Sequence, residues 1–131
     1  MTNKTTVNLL LPCFLLMILL SLAGCREDSP GRHLQLGNWY VQKGLLEDAV
    51  LEFREVIRLI PLTYKDISKE EFKMLGTAHY NLALVYTKKG WWDFALKEAQ
   101  NSFNLQPTAS HYDLVQLIKK REELSPQKPQ S

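Results

Sequence analysis

The residues able to do chemistry are few and scattered. The histidines are His33, His79 and His111, and the cysteines are Cys13 and Cys25. No histidine has another four residues further on, so the paired ligands of an HExxH zinc site are missing from the sequence. There is no glycine-rich phosphate loop, no G-x-S-x-G nucleophile turn and no C-x-x-C pair. The acidic pairs Glu47/Asp48 and Glu70/Glu71 read as helix starts, where carboxylates favour the positive end of the helix. The other carboxylates read as solvated, and His33 and His79 read as packing residues at the edge of a core. No catalytic set, metal or cofactor is expected, and the chain does not read as an enzyme.

Of these side chains, Cys25 has the most informative surroundings. Residues 1–8 are polar with one cation, Lys4, and Leu9–Leu20 is an apolar run of 12 residues. A membrane-spanning helix needs about 20 apolar residues, so this run is too short to be one. A positive start, a short apolar run and small residues describe a secretory signal peptide. Leu22-Ala23-Gly24-Cys25 resembles the lipobox of bacterial lipoproteins residue for residue. That resemblance implies cleavage before Cys25, diacylation of its thiol and acylation of the new amine. Two or three acyl chains would anchor the chain firmly, at about 0.8 kcal/mol per buried CH₂. Residues 26–32, REDSPGR, then form a polar tether reaching roughly 25 Å. Arg26, where an Asp would favour inner-membrane retention, leans toward the outer membrane in a cell that has two.

The elements that must position everything else come as a repeat. Leu36, Gly37, Tyr40, Gly44, Ala49 and Pro61 are matched by Leu82, Ala83, Tyr86, Gly90, Ala95 and Pro107, each 46 residues later. An internal repeat outranks other sequence signals. Ser29-Pro30 starts a helix, with Ser as N-cap and Pro at the first helical position. Gly44 ends that helix, and Ala49, Phe53, Val56, Ile57 and Ile60 mark the buried stripe of the next. The second copy has a longer first helix, opened by a capping box at Ser68–Glu71. Its stripe runs through Phe72, Leu75, His79, Leu82 and Tyr86 to Gly90. Trp92, Ala95, Leu96, Ala99 and Phe103 follow as the inward face of its second helix.

Both copies resemble the tetratricopeptide repeat, a 34-residue helix–turn–helix. The family's pattern falls on His33, Leu36, Gly37, Tyr40, Gly44, Ala49, Phe53, Val56 and Pro61, and again on His79, Leu82, Ala83, Tyr86, Gly90, Ala95, Ala99, Ser102 and Pro107. The resemblance implies an all-α fold of solenoid type, with two helical hairpins and a C-terminal capping helix. About 12 residues are inserted between the copies relative to the family spacing, in the region 62–75. Ala99 and Ser102 are smaller than the pattern expects, which thins the second hairpin.

The resulting organisation is a signal peptide at 1–24, a lipidated tether at 25–32 and a helical domain at 33–124. The repeats cover about 30–63 and 76–109. The cap helix at 109–124 carries Tyr112, Leu114, Val115, Leu117, Ile118 and Leu124 and reads as amphipathic, with Lys119, Lys120, Arg121, Glu122 and Glu123 supplying polarity. Residues 125–131, SPQKPQS, read as a disordered tail.

In the tetratricopeptide family the first helix of each hairpin lines a groove for peptides or partner helices. One face over from the core lie Leu34, Asn38, Val41 and Gln42 in the first copy, and Tyr80, Leu84, Thr87 and Lys88 in the second. Lys88 alone does not make a carboxylate clamp. Trp39 and Trp91 are a second binding candidate, since exposed Trp is enriched in interface hot spots; Trp39 could equally shield the open end of the stack. Nothing in the net charge of +2 suggests a nucleic-acid partner, which needs a strong basic patch.

The function so implied is a membrane-anchored adaptor for a protein or peptide partner in the cell envelope, without a small-molecule substrate. It resembles pilotin-like factors that assist assembly at the outer membrane, and it would face the periplasm. The alternatives are a self-associating structural lipoprotein and a non-catalytic subunit of an envelope enzyme.

Overall fold

The computed structural model describes residues 28–60 and 67–124. The leader, Cys25, the end of the tether before Asp28, Pro61 and the first part of the insert, and the tail at 125–131 lie outside the described residues. The described chain is all-α, and none of its helices is long and apolar enough to cross a membrane.

Five helices follow one another: α1 (Pro30–Lys43), α2 (Leu46–Leu59), α3 (Lys69–Lys89), α4 (Trp92–Leu105) and α5 (Ala109–Leu124). Their ends are set by local chemistry. The Ser29 hydroxyl accepts from the Arg32 amide ahead of Pro30, satisfying one of the free N–H groups of the first turn. Gly44 and Gly90 close α1 and α3 at φ of 74° and 72°, the left-handed conformation a residue with a Cβ rarely adopts. Ile60 ends α2 in an extended conformation, which the following proline in the sequence favours. The capping box on α3 is present in both directions. The Glu71 amide donates to Ser68 Oγ at 3.1 Å, and the Ser68 amide donates to Glu71 Oε2 at 2.9 Å.

α3 has 21 residues against 14 in α1. Part of the insert is therefore helix, as the longer first helix predicted for the second copy requires. The physical reason is the capping box, which moves the helix start forward.

The turns at Gly44-Leu45 and Gly90-Trp91 fold α2 back on α1 and α4 back on α3. α3 is the central element, packed against α2 and α4 and touching α1, while α5 packs on α4. Its buried residues cover about half of the helix circumference: Leu75, Gly76, Ala78, Leu82, Ala83, Val85 and Tyr86. The main core joins Leu82, Ala83, Val85 and Tyr86 to Ala49 and Phe53 of α2, Ala95 and Ala99 of α4, and Leu114, Val115 and Ile118 of α5. A smaller cluster of Val56, Ile60, Leu75 and Ala78 fills the far end of the α2–α3 contact. Close approach of α1 to α2 depends on Gly37, since a methyl group there would overlap the Phe53 ring.

The buried side of α5 uses only part of its apolar residues. It is His111, Leu114, Val115 and Ile118, an i, i+3, i+4, i+7 stripe, while Tyr112, Leu117 and Leu124 are exposed. Six apolar residues cannot share a single face of one helix, and α4 selects the set that includes the histidine. The outer face of the cap is accordingly not wholly polar.

Candidate functional site

The face predicted for partner binding is built jointly by α1 and α3. Asn81 of α3 donates its side-chain amide to Asn38 Oδ1 of α1 at 2.9 Å, tying the two first helices together. Asn38, Gln42, Leu84 and Lys88 are exposed on these helices. Asn38 and Leu84 hold matched positions in the two copies, as do Gln42 and Lys88. The other four predicted residues are held more deeply. Leu34, Val41 and Tyr80 pack on the main core. Tyr80 also stacks on His111 of α5, with ring centroids 4.8 Å apart. Thr87 is half-buried and donates its hydroxyl to the Ala83 carbonyl at 2.7 Å. The predicted surface thus divides into an exposed polar–apolar strip and an anchoring row beneath it.

Trp39 and Trp91 are each 48% exposed. The Lys43 ammonium lies 5.7 Å from the Trp39 ring centroid, and Lys89 lies 4.4 Å from that of Trp91. Trp91 stands among Tyr86 and Phe94, with centroids 5.8 Å and 6.2 Å away. Phe94, 60% exposed, belongs to this aromatic group although the sequence reading did not single it out. Its signal was its spacing: three residues after Trp91, it shares that helix side. Lys89 also pairs with Glu47 of α2, whose carboxyl is held below the ordinary glutamate range by that hydrogen bond.

The histidines are placed by carboxylates. His33 Nδ1 lies 2.5 Å from Glu52 Oε2, and His79 Nδ1 lies 2.5 Å from Glu98 Oε2. Each pair spans 19 residues and joins the two helices of its own hairpin. This corrects the expectation that the carboxylates outside the helix starts are solvated: Glu52 and Glu98 are mostly covered, because both face the first helix of their hairpin. The matched spacing was present in the sequence, since Glu98 follows Glu52 by the repeat distance.

Among the described residues, the first hairpin alone adds to this pair. His33 Nε2 lies 2.6 Å from Asp28 Oδ1, so the ring is held at both nitrogens. Burial alone would lower the His33 pKa, but its hydrogen bonds to Glu52 and Asp28 outweigh that and hold it above the ordinary value. Glu55 lies beside this group, with Oε1 accepting from Arg58 Nε at 2.7 Å and also from Arg58 Nη2. That contact holds the Glu55 carboxyl below its usual range. Asp28, His33 and Glu55 each bring a ligand atom within 4.8 Å of the others. In the second copy the places of Asp28 and Glu55 fall to Met74 and Asn101.

His111 is used differently again. Ser102, fully buried, donates its hydroxyl to the Gly76 carbonyl at 2.9 Å. The Ser102 oxygen therefore accepts from His111 Nδ1 at 2.9 Å, which fixes the proton on Nδ1. The serine expected to thin the second hairpin instead joins α3, α4 and α5 in one buried polar chain. No buried side-chain nitrogen or oxygen among the described residues lacks a hydrogen-bond partner. Comparison with protein-family models, with curated proteins and with solved structures finds no match for the chain.

Proposed function

We propose that this chain is a membrane-tethered protein-interaction module built as a tetratricopeptide-like pair of hairpins with a capping helix. The observation that carries the reading is the shared face of α1 and α3. Asn38 with Leu84, and Gln42 with Lys88, repeat the same exposed positions on two helices joined through Asn81. A repeated strip of amide, apolar and cationic groups suits an extended or helical segment lying across both helices. The amides would bind its backbone or polar side chains, and Leu84 would supply apolar contact. The Trp91–Phe94 group adds large rigid aromatic area of the type that dominates interface energies. The lipobox-like sequence before Cys25 supports a lipid anchor, and the short segment from Cys25 to α1 would keep the domain close to the bilayer.

Two experiments test this. Cys25→Ser should leave a larger, unprocessed precursor; normal maturation of that variant refutes the anchor. For binding, the full-length lipoprotein is purified from membranes with its associated envelope proteins, in parallel with Asn38→Ala/Leu84→Ala. The double variant should keep its helical content and lose the partner. Equal recovery of the partner with both proteins would move the binding surface away from α1 and α3.

A further inference from the structure

We propose a divalent transition-metal site in the first hairpin, with Asp28, His33 and Glu55 as ligands and Glu52 as the carboxylate that orients the histidine. Three features support it. First, the donor atoms of these three residues lie within 4.8 Å of one another, although Asp28 and Glu55 are 27 positions apart in sequence. Second, the imidazole is already oriented as metal-bound histidines are. Nδ1 is turned to Glu52 at 2.5 Å inside the hairpin, and Nε2 faces the exposed side where Asp28 lies. Third, the second hairpin is an internal control. His79 and Glu98 make the same inner pair, so the His–Glu contact belongs to the hairpin's own structure. Asp28 and Glu55 are extra: α1 and α2 need neither to reproduce that pair, since Met74 and Asn101 take their places in the second copy.

The charges also fit. Three carboxylates (Asp28, Glu52, Glu55) face one histidine ring and the Arg58 guanidinium. A divalent ion would take the place of the Nε2 proton, which leaves to solvent, and the Nδ1 proton would stay on the ring, donated to Glu52. One nitrogen and two carboxylate donors suit Zn²⁺ or its first-row neighbours better than Ca²⁺ or Mg²⁺, which take oxygen ligands. Zinc bonds of about 2.0–2.2 Å separate neighbouring donors by roughly 3.4 Å. His33 Nε2 and Asp28 Oδ1 are 2.6 Å apart, so Asp28 must draw back, and it is the exposed member of the set. Glu55 has a second oxygen to offer while Arg58 holds the first. Water would complete the shell on the exposed side.

The test is titration of the purified full-length chain in detergent, metal-stripped beforehand, with Zn²⁺ by calorimetry and Co²⁺ by visible absorption. One saturable site is expected, with the nitrogen- and oxygen-ligated Co²⁺ spectrum. Asp28→Asn and Glu55→Gln, both at accessible positions, should each weaken binding at least tenfold without changing the helical signal. Glu52→Gln should weaken it about 10- to 100-fold through the ring it orients. His33→Gln should abolish binding, and His79→Gln should leave it unchanged. No saturable Zn²⁺ binding by the wild type, or wild-type affinity in both Asp28→Asn and Glu55→Gln, overturns the site.

Discussion

Val85 is 1% exposed, while Trp39, at the matched point of the first hairpin, is 48% exposed. The same comparison holds along the helices: Leu82 and Tyr86 are buried, while Leu36 and Tyr40 are only partly so. The two copies share a plan, yet their matched residues live in different surroundings. α3 has α2 on one side and α4 on the other, whereas among the described residues no helix precedes α1. Place in the stack sets burial more than residue type does. Each copy also solves its internal packing differently. The first uses Gly37 against the large Phe53, with Val56 buried beyond it. The second has Ala83, Ala99 and the hydrogen-bonded Ser102 at those points.

The largest test of that contrast is Phe53→Ala. Phe53 is fully buried, and truncation should cost about 3–5 kcal/mol in chemical denaturation followed by circular dichroism. A cost under 1 kcal/mol would mean that Phe53 does not hold the first hairpin together. Gly37→Ala comes next, at about 1–3 kcal/mol, because the new methyl must displace the Phe53 ring. Combining it with Phe53→Ala should cost less than the two separate losses added together, since the small ring-less partner makes room. Strict additivity would show that the two residues do not share one space.

Ser102→Ala probes the second copy. It removes the donor to the Gly76 carbonyl and the acceptor for His111, both buried, and should cost about 1–3 kcal/mol. Ser102→Val imports the first copy's residue and should fare no better, because shape is not what the serine supplies. A neutral Ser102→Val would break the contrast.

The smallest effect is pH-linked. The His33 pKa is raised in the fold, so its charge stabilises the metal-free protein fully below the unfolded histidine value of about 6.5. That contribution fades as pH rises through the raised folded value. His33→Gln should therefore lose most stability near pH 6 and approach the wild type in alkaline solution. A gap that widens with pH would contradict the reading.

Much of the architecture was legible in the residues because helix ends are local events. Ser29-Pro30, Gly44, Ser68 with Glu71, and Gly90 each act within one turn, so their types and order suffice. The exposed strip of Asn38, Gln42, Leu84 and Lys88 was legible for the same reason, through helical spacing. What depended on a third element was not. Tyr80 is covered because α5 brings His111 to it, and α5 buries that histidine because α4 offers Ser102. The Asp28–His33–Glu55 group was hidden by sequence distance, since it needs α1 and α2 to be side by side. The Glu52 and Glu98 pairings were a different failure. Their repeat spacing was visible, but a carboxylate on a helix is solvated so often that spacing alone does not mark it as paired.

The measurement closest to the central claim compares photo-crosslinking in cells from three positions of the full-length chain. Two are the matched residues Asn38 and Leu84 on the shared face, and the third is Leu51, exposed on α2. If α1 and α3 present one binding surface, Asn38 and Leu84 will yield the same partner protein and Leu51 will not. Adducts from Leu51 alone, or different partners from Asn38 and Leu84, would contradict it.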